Sequence, residues 1–107
     1  MATMKEVVAG IGTALQNNTA KNKGVNGVFQ FDISGDDPMV FFFKLEDGSP
    51  SVGEGTSDNP SITISMTAPD FKDMIDGKLN GTMAFMSGKL KLKGDMSLAM
   101  KLESLLK

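Results

Sequence analysis

Apolar positions at the start of the chain recur with the spacing of an amphipathic helix. They fall at i, i+3, i+4, i+7 and i+11 and comprise Met4, Val7, Val8, Ile11 and Leu15. Positions with this spacing share one face of a helix. The polar run from Asn17 to Gly24 is rich in turn-forming residues, so we expect the helix to end there.

In the next two segments apolar and polar residues alternate, which predicts two strands of an antiparallel hairpin. The segments GVFQFDISG and MVFFFKLEDG each place three large apolar side chains on one face: Phe29, Phe31 and Ile33, then Phe41, Phe43 and Leu45. A Gly-Asp-Asp-Pro turn separates them. The next segment, GSPSVGEGTSDNP, is rich in Gly and Ser, so we interpret it as a loop or a short, weak edge strand near Val52.

A fourth strand and a capped helix come next. PSITISMTA alternates again, with Ile62, Ile64 and Met66 on its inward face. Thr67-Ala-Pro-Asp70 has the pattern of a capping box. It precedes apolar residues at helical spacing, which are Phe71, Met74, Ile75 and Leu79. Glycines at positions 77, 81 and 88 indicate two short helices here instead of one long helix.

The chain closes with a strand and a helix. KLKLK predicts a final strand with Leu90 and Leu92 facing inward and the lysines facing outward. Asp95 is expected to cap a last helix that runs from Met96 to about Leu106. Every predicted strand has one apolar and one polar face, so the helices should gather on a single side of the sheet. The sequence therefore predicts an α+β two-layer fold in one domain, residues 1–107.

Composition excludes several classes of function. The formal net charge is −2 and every cationic residue is Lys, which argues against a nucleic-acid interface. The chain has no Cys and no His, so it lacks the residues of Ser-His-Asp and Cys-His catalysis and of structural zinc sites. We expect no enzyme activity, no metal and no cofactor. The alternative is a small hydrolase that uses a tuned Asp or Lys.

Two charge patterns have ordinary structural explanations. Asp70, Asp73 and Asp76 recur every three residues, as expected for a helix cap and a solvated face more than for a cation site. The Lys89, Lys91 and Lys93 stripe is expected on an outward strand face, although it could contact anionic lipid head groups. No stretch approaches the roughly 20 apolar residues of a membrane span. We expect a soluble, intracellular domain.

The methionines are the most informative residues. Six of the nine fall in the second half of the chain, at Met66, Met74, Met83, Met86, Met96 and Met100. They could be ordinary core residues. As a group, with Phe71 and Phe85 among them, they could also line an apolar cavity that adapts to a variable partner. Spacing alone leaves both interpretations open.

Three segments carry a resemblance to a known family. SITISMTAPDF, GKLNGTMAFMSGKLKLKGDM and LAMKL together resemble the sterol carrier protein 2 domain, also called the non-specific lipid-transfer protein. The resemblance is most specific from Ser61 to Leu102. It implies a five-stranded mixed sheet with helices on one face, enclosing a hydrophobic tunnel and no catalytic residues.

The resemblance also implies a function and a set of lining residues. Members of this family bind fatty acids, fatty acyl-CoAs, sterols and phospholipids with low selectivity and transfer them. Carried over by position, the strand residues of the tunnel floor are Ile62, Ile64, Leu90 and Leu92. The remaining lining residues are Phe71, Met74, Ile75, Met83, Phe85, Met86, Met96, Met100 and Leu102. We expect a monomer that makes at most transient contact with membrane surfaces.

Two departures from the family pattern affect these expectations. The C-terminal peroxisomal tripeptide of many members is missing, so the compartment could be cytoplasmic or peroxisomal. The last helix is short, so the tunnel mouth should be looser or completed by another chain. The alternative function is a protein-interaction module whose apolar groove binds a partner's amphipathic helix.

Overall fold

The computed structural model describes residues 3–35, 38–98 and 101. The elements, in chain order, are α1 (Met4–Asn17), β1 (Gly27–Ser34), β2 (Met39–Glu46), β3 (Ser49–Glu54), β4 (Ile62–Thr67), α2 (Ala68–Ile75), α3 (Gly81–Met86) and β5 (Lys91–Gly94). Residues 96–98 and 101 are also helical, where the sequence predicts the last helix. The rest of that predicted helix lies outside the described residues.

The five strands form one mixed sheet with the order β3-β2-β1-β4-β5. β1 pairs antiparallel with β2 and parallel with β4, so Phe31 lies between Phe41 and Ile64. β3 and β5 complete the two edges through antiparallel pairing. The α+β fold class and the five-stranded mixed sheet are therefore confirmed.

One face of the sheet and the helices enclose the core. Met4, Val8, Ile11 and Leu15 of α1 are buried, as their spacing predicted. Thr3 starts this helix with a reciprocal capping box to Glu6. The core joins these side chains to the alternating apolar residues of β1, β2 and β4 in a single cluster.

Phenylalanine rings fill the centre of this core. Phe31 and Phe41 stack with ring centroids 5.1 Å apart. Phe71 of α2 lies against both rings, with centroid distances of 5.5 and 5.9 Å. Contacts at these distances are favourable aromatic packing, so the space between α2 and the middle of the sheet is occupied by protein.

The outer face of the sheet is only partly solvated, contrary to prediction. Gln30 points to this face, yet its exposed fraction is only 5%. The loop between β3 and β4 lies over it, and the backbone N–H of Ser57 donates to Gln30 Oε1 at 2.9 Å. The β3–β4 loop thus buries Gln30, although the alternation of the strand alone predicts that this side chain is exposed to solvent.

Of the two interpretations of the Gly- and Ser-rich segment, the edge strand is confirmed, because Ser49–Glu54, which includes Val52, pairs with β2. One local prediction needs correction. Leu90 lies before β5 and not within it. Its N–H donates to the Ala84 carbonyl at 3.1 Å, while its side chain is buried.

Candidate functional site

Five of the predicted lining residues belong to the packed core. Ile62, Ile64, Phe71, Met74 and Leu90 are each at most 4% exposed. Ile75 and Leu92 are partly buried and pack against this core. These seven side chains are therefore part of the packed interior.

Four other predicted residues are exposed to solvent. Met83 is 68% exposed, Phe85 47%, Met86 80% and Met96 50%. They are four of the six large apolar side chains that are exposed in the described part of the chain. We call these four residues the exposed apolar surface. The last two predicted residues, Met100 and Leu102, lie outside the described residues.

The shortness of α3 explains why its side chains are exposed. Asn80 caps the helix, and its Oδ1 accepts from the N–H groups of Thr82 and Met83 at 2.8 and 3.2 Å. A six-residue helix makes fewer than two turns. Ala84 is its only buried residue, so this small side chain attaches α3 to the core while the larger ones project outward.

The start of the last helix is held by Asp95. Its Oδ1 accepts from the Ser97 N–H at 2.9 Å and from the Ser97 hydroxyl at 2.6 Å. The hydroxyl contact, followed by the N–H contact, holds the pKa of the Asp95 carboxyl below its ordinary value. The Asp95 N–H donates to the Ser61 carbonyl at 2.9 Å, which ties the helix start to the sheet.

Leu98 is the residue that anchors this helix, and the predicted site did not include it. Its side chain is 6% exposed and packs against Gly27, where an added Cβ would lie 2.9 Å from Leu98 Cδ1. The signal in the sequence was the glycine at the start of β1, which permits this close approach. Met96, two residues earlier, stays exposed.

The exposed apolar surface therefore flanks the edge strand β5. Four residues, 87–90, connect α3 to β5, and Asp95 separates Gly94 from the last helix, which begins at Met96. A four-residue strand is about 13 Å long, so Met96 and the three exposed residues of α3 lie near opposite ends of β5. Along the chain, exposed apolar residues therefore precede and follow partly buried Leu92.

The acidic side chains of the described residues are the remaining candidates for a metal site. No group of three or more acidic side chains among them lies close enough to hold a metal ion. Asp70 lies in the first turn of α2, where Thr67 Oγ1 accepts from its N–H at 3.4 Å. Asp95, the group whose pKa is clearly lowered, is an exposed helix cap.

Two shallow grooves lie elsewhere on the surface. One, of about 380 Å³, runs between α1 and β3 and includes Val52. The other, of about 400 Å³, lies on the outer face beside Phe42. Neither contains a predicted lining residue. Within the described part of the chain, no helix is both long enough and apolar enough to span a bilayer.

Comparison with known proteins agrees with this architecture. A model of the SCP-2 sterol transfer family matches residues 11–107. The chain belongs to the SCP-2 sterol transfer family. The resemblance inferred from residues 61–102 is thereby confirmed, and the match extends into α1.

Solved family members share the fold. Sterol carrier protein domain 2 of Helicoverpa armigera superimposes with a TM-score of 0.75 at 28% identity, covering 92% of this chain and 81% of that one. Palmitated sterol carrier protein 2 like 2 of Aedes aegypti gives a TM-score of 0.70 at 25% identity, covering 92% and 93%.

A curated relative is much longer. The chain is 47% identical over 85 residues to hydroxysteroid dehydrogenase-like protein 2 of Bos taurus, which covers 78% of this chain and 20% of the relative. The chain thus spans about a fifth of the length of the curated relatives it matches.

Proposed function

We propose that the chain binds one long-chain lipid per monomer and transfers it, with low selectivity and without catalysis. The ligand classes are fatty acids, fatty acyl-CoAs, sterols and phospholipids. The observation that carries this proposal is the exposed apolar surface, because Met83, Phe85, Met86 and Met96 stand uncovered beside a complete core.

The proposed path of the lipid avoids the centre of the core. The Phe31, Phe41 and Phe71 rings already fill the space beneath α2. The acyl chain instead lies against the exposed apolar surface, beside partly buried Leu92. Binding covers these apolar side chains, which would form walls of the proposed tunnel.

The energetics of such a site follow from apolar burial. At about 0.8 kcal/mol per CH₂, a 16-carbon tail supplies a gross term of roughly 12 kcal/mol. Association and ordering remove much of this term, which leaves micromolar to nanomolar affinity. Methionine side chains suit ligands of varying shape because they are unbranched and polarizable. The palmitated relative from Aedes aegypti supports a fatty-acyl ligand.

The proposed role in a longer protein is delivery of lipid. The chain has no His and no Cys, so it lacks the residues of Ser-His-Asp and Cys-His catalysis. Where the segment belongs to a protein like its curated relatives, we propose that it holds an apolar substrate for a neighbouring domain.

A titration with a fluorescent long-chain fatty acid tests the proposal. We expect saturable binding at one-to-one stoichiometry, with native mass spectrometry showing one lipid on a monomer. The affinity should change little with salt, because apolar burial carries it and the chain has no Arg. A folded sample that binds no fatty acid, acyl-CoA, sterol or phospholipid would refute lipid binding. Saturable binding of an amphipathic helical peptide by that sample would support the interaction-module alternative.

A further inference from the structure

The two edges of the sheet are protected to different degrees. β5 has four residues and carries exposed Lys91 and Lys93, and lysine on an edge strand opposes pairing with another strand. β3 has six residues, and none of them is a lysine. β3 is therefore the edge that is more open to an added strand.

The pairing of β3 with β2 determines which backbone groups of β3 face outward. Just beyond the strand, the Gly55 N–H donates to the Val40 carbonyl at 2.7 Å. Bonded and non-bonded pairs alternate in an antiparallel ladder, so the odd-numbered residues of β3 bond to β2 and the even-numbered ones do not. The N–H and C=O groups of Val52 and Glu54 therefore point away from the sheet, as does the C=O of Pro50. Within the described part of the chain, no hydrogen bond to these groups is found.

A groove beside this edge offers space for side chains. It has a volume of about 380 Å³, runs between α1 and β3, and is lined by uncharged residues alone. Val52 lines it and is 47% exposed. Gly12 of α1 lies so close that an added Cβ would be 3.3 Å from Val52 Cγ2. The groove therefore favours an apolar side chain next to Val52, whose exposed area it would cover.

Glu54 gives one end of this edge a negative charge. Glu54 pairs with Phe41 and Val52 pairs with Phe43, so both side chains project on the helical side of the sheet. Glu54 is exposed, and its carboxylate takes no part in the ion pair that is found among the described residues. A basic side chain directly opposite Glu54 on an added strand would complement this charge.

We propose that the β3 edge binds an extended peptide of a partner protein as an additional strand. The peptide runs antiparallel to β3 and has the pattern basic-x-apolar-x-apolar. Its basic residue lies opposite Glu54, and its first apolar residue lies opposite Val52 in the groove. Each of these residues exchanges both backbone hydrogen bonds with the peptide, and the C=O of Pro50 accepts a further one. Main-chain bonds of this kind supply affinity, and the alternate side chains supply specificity.

This surface is separate from the proposed lipid site. β3 and β5 form opposite edges of the sheet, and β3 contains no residue of the exposed apolar surface. The inference therefore goes beyond the proposed function and does not depend on it.

A second copy of the chain fits this edge less well. Two β3 strands paired antiparallel about Val52 would place each Glu54 opposite Pro50 of the other copy. Glu54 would then have no basic partner, and Pro50 would lack the N–H that this position of the ladder needs. The charge and the hydrogen-bonding groups of β3 thus favour a different chain as the occupant.

Peptides that differ at one backbone nitrogen test the proposal. The probe is Lys-Thr-Val-Thr-Val with blocked ends, titrated into the ¹⁵N-labelled chain. The amide signals of Val52 and Glu54 should move saturably, whereas those of Ser51 and Gly53, which already bond to β2, should move little. N-methylation of the first valine removes the N–H that donates to the Val52 carbonyl, so binding should weaken about tenfold. N-methylation of the second threonine is the matched control, because that N–H points away from β3, and binding should stay within twofold.

Variants of the chain test the two side-chain contacts. Glu54→Lys should bind the lysine peptide about two- to fivefold more weakly, and Glu-Thr-Val-Thr-Val should recover the loss. Val52→Ser should weaken peptide binding about three- to tenfold, because it removes the apolar contact in the groove. Val40→Ser is its control, since Val40 is an exposed valine in β2.

Three results would overturn the proposal. The first is the absence of any saturable shift of the Val52 and Glu54 amide signals at millimolar peptide. The second is an equal loss of binding for the two N-methylated peptides, because the contact would then not follow the β3 hydrogen-bond pattern. The third is a concentration-dependent shift of the same signals without peptide, accompanied by dimers in analytical ultracentrifugation, which would identify a second copy as the occupant.

Discussion

Replacing Met86 with Ser tests whether the exposed apolar surface binds lipid. Met86 is 80% exposed and lies in the last position of α3, so it contributes little to the core. A surface substitution of this kind usually changes the free energy of unfolding by no more than about 0.5 kcal/mol. The melting transition of Met86→Ser should therefore match that of the parent.

The expected loss of lipid affinity follows from the area that Met86 leaves exposed. Complete burial of a methionine is worth about 1.5–3 kcal/mol. Covering the exposed 80% would then contribute about 1.2–2.4 kcal/mol to lipid binding. Removing this contribution should raise the dissociation constant about 7- to 50-fold. Titration with a fluorescent fatty acid measures the change directly.

Val52→Ser is the matched control for this experiment. Val52 is an exposed apolar residue, 47% accessible, but it lies in β3 at the opposite edge of the sheet from β5. Its replacement should leave fatty-acid affinity unchanged. Parental affinity in Met86→Ser would refute the assignment of the exposed apolar surface to the lipid, and so would an equal loss in both variants.

Three further predictions concern the scaffold of the site. Phe71→Ala should lower the free energy of unfolding, measured by urea titration, by about 3–5 kcal/mol, because it removes a fully buried ring that packs on Phe31 and Phe41. A loss below about 1 kcal/mol would contradict this packing. Gly94→Ala should destabilise the β4–β5 pairing, since Gly94 has φ of 122° and an added Cβ would lie 2.9 Å from Ile62 Cα; unchanged amide-exchange protection in β5 would contradict this. Ser97→Ala should raise the pKa of Asp95 toward its ordinary value near 3.9, as followed by NMR titration of the carboxyl carbon. Asp95 should stabilise the fold at pH values above the ordinary pKa, and this contribution should be lost as pH falls through the lower folded-state pKa. An unchanged Asp95 pKa in Ser97→Ala would show that the Ser97 hydroxyl is not the main cause of the lowered pKa.

The central sheet was predictable because its signals are local. Alternation in β1, β2 and β4 places Phe29, Phe41 and Ile62 on the buried face, as the structure shows. Burial of one face fixes which residues of a strand point inward, so period-two patterns are strong predictors. The caps at Thr3 and Thr67 are likewise short-range, since each involves a residue three positions away.

Two features of the sheet depend on contacts outside the segment that shows them. Ser49–Glu54 contains Ser, Pro and Gly, which have low strand propensity, and it becomes a strand through its hydrogen bonds to β2. Gln30 is buried by a loop that returns from 27 residues further along the chain. The Asp47-Gly48 turn that joins β2 to β3 is a local signal for this hairpin, whereas the burial of Gln30 has no signature within β1.

The orientation of the α3 side chains was the hardest feature to predict. Helical spacing distinguishes a buried face from a wet face only over several turns. α3 has six residues, and Ala84 is the one that reaches the core. The sequence therefore showed that Met83, Phe85 and Met86 are apolar and clustered, but not that they are exposed.

Methyl NMR of the methionines during a palmitate titration tests the central claim most directly. Labelling with ¹³C-methyl methionine makes the exposed methionines probes of lipid binding and the buried methionines internal controls. The account predicts saturable chemical-shift changes at one equivalent for Met83, Met86 and Met96, which are exposed beside β5. The methyl signals of Met4 and Met66, which are buried at the α1 and β4 positions of the core, should barely move. Shifts confined to Met4 and Met66, or no saturable shift at Met83, Met86 and Met96, would contradict the account.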